Sequence, residues 1–452
     1  MKTEKTSYYF ETYGCQMNFA ESAALKLTLS ERGWKEAHDG ENAQLVIINT
    51  CSVRETAERR VLGRLAHYAA LKKRRGLQQN PLFVLVCGCM ASRLGDKLTE
   101  NGADFIMKPQ EAFIFSGLLS KIEAWEQGGD FPQPVKLDKE NHHPAFNFAP
   151  SHHETGCFRA FAPIMSGCNN FCAYCIVPYV RGREICRTPK EISAEIKNLA
   201  ARGVREITLL GQNVNSYIND GLDFPSLLER IARDVEGTPV KWVRFLSSHP
   251  KDLSPHTIQV MKDNPVFCRH LHLCVQHGSN RVLSAMNRRY TREHFLELVA
   301  AIRTAMPEIT LSTDILVGFP GETEEDFEEI LTLMEQAHFL YAYMYHYNPR
   351  EGTAAFELPC RVAPDVKTAR LKRVIDLQMR HTAELLRSRI GECEEALVEG
   401  VSRKSRRELV CRTERDEMVV AEGDTSLIGS FAKIRLESLS GNTLRGHFVE
   451  KM

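Results

Sequence analysis

Three cysteines fall within one short stretch, Gly167-Cys168-Asn169-Asn170-Phe171-Cys172-Ala173-Tyr174-Cys175, spaced Cys-x3-Cys-x2-Cys. Three thiolates on one loop can each bind a different iron of a cubic iron–sulfur cluster. The fourth iron then has no protein ligand, whereas electron-transfer clusters ordinarily have four cysteines. An open iron suits a cluster that holds and cleaves a small molecule. A zinc site and three buried thiols are the competing readings. Zinc loops more often show paired Cys-x2–4-Cys with a fourth ligand nearby, so the spacing favours iron–sulfur.

Composition sets wide bounds. With 452 residues, 43% hydrophobic and 26% charged, the chain reads as a globular protein of about two to four domains. The formal net charge is +0, so any nucleic-acid contact must come from local patches. No stretch approaches the length of an apolar membrane span, and Met1-Lys2-Thr3-Glu4-Lys5 lacks a signal core, which predicts a cytoplasmic protein without a membrane partner. Fourteen cysteines in that setting argue for ligands and reduced thiols, not a disulfide framework.

Residues 1–130 alternate strand and helix patterns, with strands at 8–13, 45–48 and 82–86 and helices at 18–32 and 54–75. Continuous apolar strands alternating with helices predict a parallel sheet covered on both faces. Cys15, Cys51 and Cys89 each follow the C-terminal end of a strand, the edge where open α/β sheets bind ligands. Their convergence predicts a second cluster, against the alternative of three unrelated buried thiols. Strand alternation favours Cys89 over its neighbour Cys87. Residues 131–156 read as a linker interrupted by Pro132, Pro134, Pro144 and Pro150, with His142, His143, His152 and His153 solvent-exposed.

Residues 157–380 repeat a strand–turn–helix rhythm. Strands are predicted at 159–165, 206–210, 242–247, 270–275, 310–317 and 341–347, with helices at 190–201, 224–235, 292–305 and 324–336. Six β/α units predict a partial TIM-like barrel, whose chemistry belongs at strand C-termini. The cysteine loop follows the first strand. Later strand ends carry Gln212-Asn213, Ser247-Ser248-His249 and Gln276-His277, then Asp314 followed by Gly318-Phe319-Pro320-Gly321-Glu322, which together suggest one site. Residues 381–452 read as five short strands of a small OB-like barrel, with a basic turn at Arg403-Lys404-Ser405-Arg406-Arg407.

The cysteine loop resembles that of the radical S-adenosylmethionine (SAM) enzymes, in which the open iron binds SAM and an aromatic residue before the third cysteine, here Tyr174, packs near adenine. The whole chain resembles the radical SAM methylthiotransferase family, and most closely its branch acting on prenylated adenosine of tRNA. That resemblance rests on Gly167–Glu184 (G-C-N-N-F-C-A-Y-C-I-V-P-Y-V-R-G-R-E), on Leu210-Gly211-Gln212-Asn213-Val214-Asn215-Ser216-Tyr217, and on Arg244-Phe245-Leu246-Ser247-Ser248-His249-Pro250. It implies an N-terminal cluster domain, a radical SAM barrel and a C-terminal RNA-binding TRAM domain. It also implies two 4Fe–4S clusters, one on Cys15, Cys51 and Cys89 and a catalytic one on Cys168, Cys172 and Cys175. SAM contacts would come from Tyr174, Gln212, Asn213, Ser247, Gln276 and Asp314. Arg181, Arg183 and Glu184, with Arg403, Lys404, Arg406 and Arg407, would meet RNA.

The implied activity adds sulfur and methyl to carbon 2 of N6-isopentenyladenosine beside the anticodon, with two SAM used per turnover. The radical cleaved from one SAM removes hydrogen, the N-terminal cluster gives sulfur and a second SAM gives methyl. Partners implied are a tRNA anticodon stem-loop, an electron donor such as flavodoxin or ferredoxin, and sulfur- and cluster-delivery proteins. A ribosomal-protein aspartate methylthiotransferase and a non-catalytic RNA-binding iron–sulfur protein are the alternatives. Cys186, Cys274 and His277 stand where the family usually has serine, proline and serine.

Overall fold

The computed structural model describes residues 6–52, 55–76, 81–126, 132 and 156–451. Apart from Pro132 and Gly156, the expected linker and its four histidines lie outside the described residues.

The N-terminal region forms a five-stranded parallel sheet, ordered Lys35–Glu36, Ser7–Tyr13, Leu45–Thr50, Phe83–Gly88, Phe105–Met107. Leu45–Thr50 and Phe83–Gly88 are buried at every position, which is why Leu45–Ile48 and Phe83–Val86 within them read as unbroken apolar runs. One face packs against helices Gln16–Glu31 and Phe115–Glu126 through Leu25, Leu29, Leu119 and Ile122. The other packs against helix Glu55–Arg75 through Val61, Leu65, Tyr68 and Leu71.

Six strands then follow in sequence: Arg159–Pro163, Glu206–Leu210, Trp242–Phe245, His270–His272, Thr310–Val317 and Tyr341–His346. They form two three-stranded parallel runs, joined by single bridges at Val243–Phe267 and Ser248–Leu273. This is an open, TIM-like half-closed barrel. Helix Phe224–Val235 shows why its segment folds as it does. Asp223 caps its N-terminus and Pro225 sits in its first turn, while Phe224, Leu227, Leu228, Ile231 and Val235 bury one face. Each of those side chains contributes about 1.5–3 kcal/mol on burial. Phe224→Ala, at a fully buried position, would cost about 3–5 kcal/mol.

Helices Pro255–Asp263 and Asn280–Ala285 lie beyond the predicted set. So does Pro364–Arg387, a continuous helix that runs through the boundary expected after residue 380.

The C-terminal strands Cys393–Val401, Glu408–Thr413, Met418–Glu422, Phe431–Ser440 and Thr443–Lys451 close into a barrel. It sits on the base of the central barrel, against residues that begin the strands there. Arg244 bonds the carbonyls of Thr413 and Glu414 at 2.8 and 2.9 Å, Tyr341 bonds Asp416, and Thr310 bonds the Arg415 carbonyl. Trp242 meets Phe431 edge-on at 4.7 Å. The opposite end of the central barrel faces the N-terminal sheet.

Candidate iron–sulfur and SAM site

Cys15, Cys51 and Cys89 stand directly beyond three neighbouring strands of the N-terminal sheet. Cys15 is the N-cap of helix Gln16–Glu31 and Cys89 opens helix Cys89–Leu94, so helix-end amides favour thiolates at both. A buried lattice fixes the strand ends beneath them. Asn18 Nδ2 donates to Asn49 Oδ1 at 2.9 Å, and Asn49 Nδ2 donates to the Asn18 carbonyl and to Ser22. Gly88 has φ 90°, and a Cβ there would lie 2.4 Å from the Thr50 carbonyl oxygen, so only glycine lets these strand ends close up. A hydrogen bond with Cys51, helped by the charge of Arg181, pulls the Cys15 thiol down to about 6 against desolvation. Burial pushes Cys89 up, and Arg181 opposes that rise. Cys87 is turned into the sheet core and its thiol is raised by burial, in keeping with the alternation argument.

The second triad follows the first barrel strand. Cys168 and Cys172 are 9% and 8% exposed, and Cys175 is half-buried. Burial raises Cys168 to about 11 and Cys175 to about 12, with the Cys172 thiolate adding to both. Two thiols raised in this way ionise beside a third cysteine only around a compensating cation, which is the donor set an iron–sulfur cluster requires. The loop is pinned at several points. Gln212 Oε1 accepts from the Gly167 amide at 2.6 Å, and Asn287 Nδ2 donates to the carbonyls of Asn170 and Phe171 at 3.1 and 3.0 Å. Arg288 is 3% exposed and donates to Cys172 Sγ at 3.3 Å, to Tyr174 Oη at 3.5 Å and to the Cys274 carbonyl.

Asn287, Arg288 and Arg289 were outside the predicted site. Their only local signal is a run of polar residues after a short helix. Backbone strain marks the same region: Phe171, Ser247, Gln276, Asn287 and Arg289 all have φ between 48° and 68° without being glycine.

The expected SAM residues line the strand ends around this loop. Asn213 Nδ2 bonds Asp252 at 2.7 Å, and Gln276 Nε2 bonds Asp314 at 3.4 Å. Ser166 Oγ, Ser248 Oγ, His249 Nε2 and Asn213 Oδ1 are buried without a hydrogen-bond partner. Burial, with Arg288 and Lys251 nearby, lowers His249 to about 2, so its ring is neutral. Orphaned donors and acceptors gathered at successive strand ends fit a polar ligand such as SAM. His277 instead belongs to the framework: Nδ1 accepts from the Ser279 amide and Nε2 donates to Glu322, which also takes the Gly318 amide and Arg370. Cys186 pairs with Met165 in a two-residue ribbon and accepts a bond from Asn219 at its carbonyl.

Arg181 does not sit where a contact to RNA requires. It is 3% exposed, its Nε donates to Cys89 Sγ at 3.1 Å and its Nη1 pairs with Glu21 at 2.6 Å. The cause is an acceptor pair from the other domain, buried Cys89 and half-buried Glu21, which recruits the nearest guanidinium. Val180 shares an apolar contact with Cys89 and Ile176, and its carbonyl takes bonds from Ser92 and Gln110. The segment just after Cys175 therefore docks on the N-terminal triad. Arg183 remains exposed, stacked over Phe171 at 4.6 Å, and Glu184 accepts from the Asn169 amide. Arg403, Lys404, Arg406 and Arg407 are exposed. They lie at the end of strand Glu408–Thr413 remote from the hairpin that caps the barrel base.

Family models match three consecutive parts of the chain: "Uncharacterized protein family UPF0004" at residues 7–107, the Radical SAM superfamily at 162–334, and the TRAM domain at 387–449. The solved radical SAM methyltransferase TsrM of Kitasatospora setae, with cobalamin and a [4Fe–4S] cluster bound, superposes with a TM-score of 0.59 at 16% identity. The match covers 77% of this chain and 74% of that one, and shows the fold. Fold and models together define a radical SAM protein carrying an N-terminal cysteine domain and a TRAM barrel. The tRNA-2-methylthio-N(6)-dimethylallyladenosine synthase of Treponema denticola is 48% identical over 98% of this chain and 99% of its own length. That of Phocaeicola vulgatus is 41% identical over 99% and 97%. The chain belongs to the family of tRNA-2-methylthio-N(6)-dimethylallyladenosine synthases.

Proposed function

We propose that this chain adds a methylthio group to carbon 2 of N6-isopentenyladenosine beside the anticodon of tRNA. The observation that carries this reading is identity of 41–48% over nearly the whole chain to synthases of that name. Cys168, Cys172 and Cys175 would hold one 4Fe–4S cluster, and Cys15, Cys51 and Cys89 a second. Clusters and SAM would supply one-electron C–H chemistry and sulfur, which no side chain provides.

The chain's own residues prepare the site for them. Arg288 sets a fixed positive charge beside Cys172, and Arg181 does the same beside Cys89. Gln212 and Asn287 hold the cysteine loop in one conformation before anything binds. Tyr174, Asn213, Ser247 and Gln276, with the unbonded Ser248 Oγ and His249 Nε2, would take the polar groups of SAM, while Asp314 faces His272 instead. Exposed Arg183 would meet the splayed anticodon loop, and Glu184 would keep the loop around Asn169 in place for it. The remote basic turn at Arg403–Arg407 would meet the stem. Residues 1–130, 157–380 and 381–452 would be the working units, with the helix to Arg387 joining the last two. A flavodoxin- or ferredoxin-class donor, sulfur- and cluster-delivery proteins and a cytoplasmic location complete the reading.

Mass spectrometry of tRNA nucleosides from a deletion strain tests it. N6-isopentenyladenosine should accumulate without its methylthio derivative, and the wild-type gene, but not Cys168→Ala, should restore the product. Intact tRNA nucleosides beside loss of a methylthio group from a ribosomal protein would move the chain to the protein-modifying branch.

A further inference from the structure

A third set of metal-type ligands stands inside the barrel, apart from both triads. His272 and Cys274 stand at the end of one strand and Asp314 within its neighbour Thr310–Val317, and their ligand atoms all lie within 4.8 Å of one another. His272 Nε2 is 3.5 Å from Asp314 Oδ2. Around a tetrahedral zinc, bonds of about 2.0–2.3 Å put neighbouring ligand atoms roughly 3.3–3.8 Å apart. The His–Asp pair already meets that spacing, and the widest gap closes by about 1 Å through side-chain rotation.

The surroundings suit a cation. His272 Nδ1 is taken by Ser312 Oγ at 2.9 Å, so the ring is oriented with Nε2 toward Cys274 and Asp314. A bond of this kind is what commonly aims a ligating histidine. Tyr343 packs edge-on against the same ring at 5.7 Å. One thiolate and one carboxylate balance a divalent charge, and the neutral imidazole completes a borderline-soft donor set. His272 is buried, and Cys274 and Asp314 are half-buried, so the fourth position can be reached from solvent or by a small ligand.

We propose that His272, Cys274 and Asp314 form a three-ligand site for a zinc-class divalent cation, distinct from the two cysteine triads. Thiolate chemistry makes Cys274 the selective ligand, and Ser312 is a positioning residue acting through His272.

The test uses the cluster-loaded full-length protein, anaerobically titrated with Zn2+ and dialysed. Zinc and iron are counted together, and the zinc environment is read by X-ray absorption. One zinc per chain is expected beyond the cluster iron, with a single sulfur among its nitrogen and oxygen neighbours. Cys274→Ser should lose that zinc while keeping all its iron. Ser312→Ala should weaken binding about 10–100-fold. Unchanged zinc in Cys274→Ser, a shell of three sulfurs placing zinc in a triad, or no zinc retained by the wild type would each overturn the proposal.

Discussion

Cys15 offers a direct reading of the N-terminal triad. It is exposed, unlike Cys51 and Cys89, and its thiol sits at about 6 in the cluster-free protein. An ordinary thiol has a pKa near 8.5. At pH 6 about half of Cys15 is therefore thiolate, against roughly 0.3% of an ordinary cysteine, a gain of about 150-fold in reactive form. A lower pKa also weakens the nucleophile, by about 13-fold for a shift of about 2.5 units at a Brønsted slope near 0.45. The net expectation is alkylation about tenfold faster than a model thiol at pH 6.

The assay is iodoacetamide labelling of the apo-protein from pH 5 to 9, with peptides counted by mass spectrometry. The rate at Cys15 should rise with a midpoint near 6. Arg181→Gln removes one source of the lowered value and should move that midpoint upward. Loading the protein with iron and sulfide should protect Cys15. A midpoint in the ordinary thiol range, or full labelling after loading, would refute the account of the triad.

Four further outcomes follow from the same geometry. Replacing Cys168, Cys172 and Cys175 with Ala should leave about four irons per chain after reconstitution, the content of one cube, with both zero and eight excluding separate triads. Arg288→Gln should keep that iron content near wild type yet weaken SAM binding at least tenfold by equilibrium dialysis, because it loosens Tyr174 and the Cys274 strand end together. Asp326 is held well below the usual carboxylate range by Arg281, Ser279 and Thr323, against desolvation. Its folded pKa is depressed, so the stability it confers is complete above the ordinary Asp value near 4 and is lost as pH falls. Asp326→Asn should accordingly flatten the acid limb of a thermal-unfolding series. Changing Arg403, Lys404, Arg406 and Arg407 to Ala should weaken binding of anticodon stem-loops and lower the salt slope by roughly one per lost phosphate contact, while uncoupled SAM cleavage stays unchanged.

Strands such as Leu45–Thr50 and Phe83–Gly88 were legible because burial on both sides demands a largely apolar run. The placement of both sets of cysteines beyond strand ends was legible for a related reason, since strand C-termini have a fixed address in these sheets. Helix Pro364–Arg387 was not, because its apolar stripe is thin and its many charges pair with the neighbouring helix, as Arg370 and Arg373 do with Glu324. Arg288 and Arg181 were missed or misassigned because their destinations are set by partners 116 and 92 residues away. Local pattern carries no trace of such a partner, and a charged side chain read alone defaults to the surface. His277 shows the same limit, as its tie to Glu322 crosses 45 residues.

The span of 92 residues between Cys89 and Arg181 also sets an order of events during synthesis. The N-terminal sheet with all three of its cysteines leaves the ribosome well before the guanidinium that balances Cys89 exists. Chains emerge at about 5–20 residues per second and domains fold as units, so the sheet waits several seconds in a half-furnished state. Charge compensation at the first triad arrives only when the second triad's loop has folded and docked.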